Sequence, residues 1–151
     1  MSARHPQALF EHSPWVEARA DAAPSSGDRH ADLMAVVHGA SRDEQLALIR
    51  AHPELAGKAA IDGSLTEASA AEQASAGLDR LTRAEFDRFH TLNAAYRERF
   101  DFPFIICVRL TDKAGILAAM EARLANPPEA EIAAALAEIG KIVKLRLEDQ
   151  A

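Results

Sequence analysis

The only β-like run in this chain is "FIICV", Phe104 to Val108. One strand has no ladder partner for its backbone donors and acceptors, so a single such run cannot make a sheet. Periodicity does not decide whether these residues are extended or form a buried helical turn. Elsewhere alanine dominates the apolar residues and aromatics are only 5% of the chain, which favours helices over sheets. The expectation is an all-α fold: one compact domain over residues 1–151, built from about seven or eight helices with room for a real core.

Helix starts are marked by capping chemistry. Ser13-Pro14 has the form of an N-cap followed by proline at the first helical position. "SRDE", Ser41 to Glu44, and "TRAE", Thr82 to Glu85, are capping boxes. Apolar residues Leu46, Leu48 and Ile49 follow the first. Phe86, Phe89, Leu92, Asn93 and Tyr96 lie along one side of the helix that the second opens. Thr111 is placed to cap "DKAGILAAMEARLA", and Pro127-Pro128 restarts a last helix running to about Asp149. Connections fall at Ala22–Asp28, Ala60–Ser64 and Phe100–Pro103, none of them long enough to link domains.

Several function classes are excluded or disfavoured. A formal net charge of -6 argues against nucleic acid as a partner. No apolar stretch approaches the roughly 18–20 residues of a membrane span. The amino terminus has no apolar segment of secretory type, and "RLEDQA" is not a peroxisomal signal. With one cysteine there is no internal disulfide framework, and the expected compartment is the cytoplasm. There is no G-x-S-x-G elbow, no P-loop, no dinucleotide fingerprint, no H-E-x-x-H and no thiolate zinc set. An enzyme of this composition is expected to need neither metal nor organic cofactor.

Four places depart from the helical pattern. At His52-Pro53 the proline ends a helix and pushes the preceding residue toward extended geometry. A Gly57-Lys58 turn follows. His52 is thus either ordinary loop punctuation or a ring held out for chemistry. In "SAAEQASAGL", Ser69, Glu72 and Gln73 share one helical face. They form either a polar stripe facing a pocket or a capping box with Ser69 as the cap. On the last helix Ile132, Leu136, Ile139 and Val143 make an apolar stripe whose next position is Arg146. That guanidinium either meets a carboxylate or bound anion, or snorkels to water from a frayed end. In "FPFIICVR" the backbone beside Pro103 lacks regular partners, as in segments that line pockets. Cys107 there has the setting of a small buried hydrophobe rather than a nucleophile.

"FEHSPWV", "LIRAHPELAGKAA", "LTEASAAEQASAGLDRLT", "FHTLNAAYRERFDFPFIICVR" and "ALAEIGKIVKLRL" together resemble the 2-oxo-4-hydroxy-4-carboxy-5-ureidoimidazoline decarboxylases, over about Phe10 to Leu147. The resemblance implies decarboxylation to (S)-allantoin, the last step of urate degradation. It also implies an all-helical homodimer without cofactor, coupled functionally to urate oxidase and 5-hydroxyisourate hydrolase. By the same resemblance His52 is the catalytic proton donor, with Glu72 assisting. Pro53, Ser69, Glu72, Gln73 and Arg146 line the substrate site. Phe104, Ile105, Ile106, Cys107 and Val108 meet the substrate through their backbone. Gln73 and the backbone near Ile106 are expected to bind ring amides, and Glu72 the hydroxyl or ureido donors.

Two stretches depart from the family pattern: a short segment before "FEHSPWV", and "AAPSSGDRH" where an aromatic is often found. Both are expected to lie away from the site. The competing expectations are a non-catalytic ureide binder on the same fold and a helical interaction module.

Overall fold

A computed structural model of the chain describes residues 9–10, 12–57 and 65–150. Among these are seven α-helices and no strand: α1 (Trp15–Ala22), α2 (Arg29–Gly39), α3 (Arg42–Arg50), α4 (Glu67–Ser75), α5 (Arg83–Phe100), α6 (Lys113–Arg123) and α7 (Pro128–Gln150). A 3₁₀ turn at Val108–Leu110 precedes α6. Lys58 and the connection expected at Ala60–Ser64 lie outside the described residues.

Both capping boxes form. Ser41 Oγ accepts from the Glu44 N–H while Glu44 reaches back to the Ser41 N–H, and Thr82 and Glu85 do the same at α5. Two other caps differ from expectation. Ser13 makes no cap bond, and α1 opens from Pro14. Ser13 is buried, and its own N–H is turned back onto the Phe10 carbonyl. Asp112, not Thr111, caps α6 by accepting from the Gly115 N–H at 2.8 Å. Thr111 already closes the 3₁₀ turn through its N–H to the Val108 carbonyl.

α7 is the axis of the core. Ile132, Leu136, Ile139 and Val143 are buried as the stripe predicts, and α2 and α3 both pack on this helix. α2 comes closest at Gly140, where an added Cβ would sit 3.1 Å from Met34 Cε. The His30 ring bonds the Gly140 carbonyl at 2.8 Å. The "AAPSSGDRH" stretch builds the start of α2: Asp28 caps it, accepting from the Ala31 N–H. Asp32 accepts from Ser26, and Gly27 takes a left-handed φ of 93°, a geometry glycine adopts without a Cβ clash. No helix among the described residues is long and apolar enough to cross a membrane.

"FIICV" is neither strand nor α-helical turn. Residues 103–107 run without regular secondary structure into the 3₁₀ turn. Phe104, Ile105, Cys107 and Val108 are nonetheless buried. Tyr96 packs edge-on against Phe104, with ring centroids 5.3 Å apart.

Candidate active site

The end of α3 fixes His52. Ala51 caps the helix, and the His52 N–H still donates to the Ile49 carbonyl. The ring's Nδ1 lies 2.9 Å from the Leu48 carbonyl. A carbonyl only accepts, so Nδ1 carries hydrogen and Nε2 is the nitrogen that gains or loses a proton. The same bond satisfies a carbonyl of the last turn of α3, a group with no partner inside the helix.

Past Pro53 the chain is pinned by two buried amides. Gln73 Oε1 accepts from the Ala56 N–H at 3.0 Å, and Asn93 Nδ2 donates to the Leu55 carbonyl at 2.9 Å. Ala56 has a φ of 53°, a left-handed geometry that costs a non-glycine residue roughly 1–2 kcal/mol. The two amides hold the loop in that shape. Gln73 was expected to face substrate amides, yet its carbonyl serves the His52 loop. Asn93→Ala is expected to lower unfolding free energy by about 1–3 kcal/mol, the cost of stranding the buried Leu55 carbonyl. Urea unfolding at constant m-value checks this.

α4 contributes the polar stripe. Thr66 caps this helix by accepting from the Ser69 N–H, so the alternative in which Ser69 is the cap does not occur. Glu72 points instead at α7. Arg146 Nε and Nη2 donate to its two carboxylate oxygens at 2.8 and 2.7 Å, a bidentate fork. Arg146 is 5% exposed, so it neither frays nor snorkels. Its Nη1 donates to the Leu9 carbonyl at 3.2 Å, and Phe10, His12 and Ser13 pack beside His52 and Pro53. Leu9, the last residue before "FEHSPWV", therefore touches the site, contrary to the expectation that the segment preceding that motif lies apart.

A cleft joins these elements. His52, Pro53, Ser69, Glu72, Gln73, Phe104 to Val108 and Arg146 all line it. Leu55, Arg109 and Ile142 line it too and went unnoticed in the sequence. Arg109 grips Asp149 with both Nη atoms, at 2.7 and 3.2 Å. A second groove on the far side shares Glu72, Arg109 and Arg146 with the cleft, so the Glu72–Arg146 pair stands between the two spaces. Burial pushes the Cys107 thiol above its usual range, and the Glu138 and Glu72 carboxylates add to this. Cys107 therefore stays protonated near neutrality, unlike an activated thiolate. Among the described residues no group of three or more His, Cys, Asp or Glu side chains could hold a metal ion.

The sequence profile of OHCU decarboxylase matches residues 4–148. The chain belongs to the OHCU decarboxylase family. It is 41% identical over 145 residues to 2-oxo-4-hydroxy-4-carboxy-5-ureidoimidazoline decarboxylase of Haloferax volcanii, covering 94% of this chain and 84% of that protein. It is 39% identical over 144 residues to the uric acid degradation bifunctional protein PucL of Bacillus subtilis, covering 93% of this chain and 28% of that longer protein. A crystal structure of OHCU decarboxylase in the presence of (S)-allantoin superposes with a TM-score of 0.71 over 91% of both chains, at 20% identity. That last likeness is one of fold. In this family member the cleft combines a histidine of defined tautomer, a forked arginine–glutamate pair and an irregular backbone wall. Such a set can orient a small polar anion and move one proton.

Proposed function

We propose that this chain, as one domain over residues 1–151, decarboxylates 2-oxo-4-hydroxy-4-carboxy-5-ureidoimidazoline to (S)-allantoin and CO2 without a cofactor. The observation that carries the reading is the meeting of His52, Glu72, Arg146 and the Ile106 backbone at one cleft in a chain of this family.

Loss of CO2 leaves an electron pair on the carbon that bore the carboxylate. The substrate's own ring imine conjugates with the breaking bond and takes up that density, the part a cofactor plays in many decarboxylases. The protein then has two tasks, to orient the substrate and to deliver a proton to one face. Nε2 of His52 delivers the proton, because Nδ1 is held by Leu48. The carboxyl end of α3 is the negative pole of that helix, a position that suits an imidazolium. Protonation from the His52 side alone sets the S configuration. Arg146 offers a planar fork to carbonyl or carboxylate oxygens. Glu72 turns from Arg146 toward the hydroxyl and ureido donors when substrate oxygens take its place. The N–H and C=O of Ile106 pair with a ring amide.

The protein works as a cytoplasmic homodimer downstream of urate oxidase and 5-hydroxyisourate hydrolase. The likeness to a bifunctional uric acid degradation protein supports that coupling. Feeding the purified chain with substrate generated in situ tests the activity: CO2 release should exceed the spontaneous rate and saturate with substrate. Saturable binding of allantoin with no acceleration would instead identify a ureide binder.

A further inference from the structure

We infer that Arg123 and Glu138 are positioning residues that set the substrate-facing backbone at Ile106; the inference rests on the decarboxylase reading above. The cleft wall at 104–108 has no ladder partner, so something else must fix its register. Two charged side chains behind it do so. Arg123 Nη1 donates to the Ile105 carbonyl at 2.6 Å. Glu138 Oε1 accepts from the Cys107 N–H at 2.9 Å. The Cys107 carbonyl takes the Leu110 N–H at 3.1 Å. Backbone polar groups of Ile105 and Cys107 are thus tethered. Ile106 lies between these two tethered residues. Neither Ile106 group has a protein partner among the described residues, and Ile106 lines the cleft.

Arg123 is itself rigidly held. Its guanidinium lies 4.3 Å above the Phe104 ring, and its Nε donates to Glu131 Oε1 at 2.8 Å. Glu131 is fully buried, so its carboxylate needs partners. It has three: Arg123, the Tyr96 hydroxyl at 2.5 Å and Asn126 Nδ2 at 2.9 Å. Tyr96 comes from α5, Arg123 from α6 and Glu131 from α7. Three helices therefore meet at one carboxylate and fix the height of the wall through a single guanidinium. Glu138, also on α7, adds a second tether two residues along the wall. Arg146 is on α7 as well, so one helix sets both sides of the cleft.

The test separates positioning from plain structural support. Arg123→Met/Glu131→Gln removes both charges while leaving the amide able to meet Tyr96 and Asn126, so the fold should survive. Its kcat/KM is expected to fall by roughly 10–100-fold, the scale of an ångström's misplacement. The loss should sit mainly in KM, with allantoin affinity measured by calorimetry weakened in parallel. Glu138→Ala should weaken that affinity by about 10-fold, the cost of roughly one hydrogen bond, and Glu138→Gln, which keeps an acceptor for the Cys107 N–H, should recover most of it. A folded double variant with wild-type KM and allantoin affinity would overturn the inference. So would equal behaviour of Glu138→Ala and Glu138→Gln. Failure of the decarboxylase reading is recognised separately. It would appear as a wild-type chain that binds allantoin without turnover, and the affinity ratios would still decide the positioning role.

Discussion

Replacing His52 by alanine is expected to lower stereospecific decarboxylation by roughly 10²–10⁴-fold, the usual contribution of a positioned general acid. The loss should fall on kcat more than on KM, because the wall, Glu72 and Arg146 remain to bind substrate. Thermal unfolding should move little. His52 lies beyond the end of α3, and its ring bond to the Leu48 carbonyl is replaceable by water at a half-buried position. Residual product from this variant should be racemic, since spontaneous protonation has no preferred face. A variant that retains both rate and handedness would remove His52 from the mechanism.

The second large effect concerns the Glu72–Arg146 pair. Arg146→Met should destabilise the protein by about 3–5 kcal/mol, because it leaves a carboxylate confined without its cation. For a chain of this length that corresponds to a fall in Tm of roughly 10 °C. The Glu72 and Arg146 side chains are 14% and 6% exposed, so water offers little compensation. The double variant Arg146→Met/Glu72→Leu should regain most of the stability, since two apolar side chains can replace a buried pair at small cost. It should not regain activity, because the fork that faces substrate oxygens is gone. Calorimetric unfolding beside turnover of the three proteins separates the two roles. Joint recovery of stability and activity would show that the pair serves the fold alone.

What could be foreseen from sequence was local or periodic. The capping boxes at Ser41 and Thr82 are written within four residues, and both form. Arg146 stood out because it continues an apolar stripe, and a guanidinium at such a position needs a partner. The same reasoning would have found Glu131, which heads the buried row Ala135, Ile139 and Val143 on α7. It does not stand out in the sequence because no buried residue precedes it on the helix to make it look out of place. What remained hidden depends on distant segments. Asn93 looked like one more member of a core-facing row, and nothing near it announces the Leu55 carbonyl. The resemblance places Gln73 at the substrate site, and it lines the cleft, but nothing in its neighbourhood announces that its carbonyl accepts from the strained backbone at Ala56. The division of the 104–108 wall into tethered and presented groups follows from Arg123 and Glu138, whose reach sequence spacing does not encode.

The most direct test of the whole account is the handedness of the allantoin formed. Urate oxidase and 5-hydroxyisourate hydrolase would generate the short-lived substrate from urate, and circular dichroism would follow the product with and without this protein. The expected result is rapid growth of the (S)-allantoin signal that depends on the added chain. Slow, racemic allantoin at the same rate with and without the protein would contradict it.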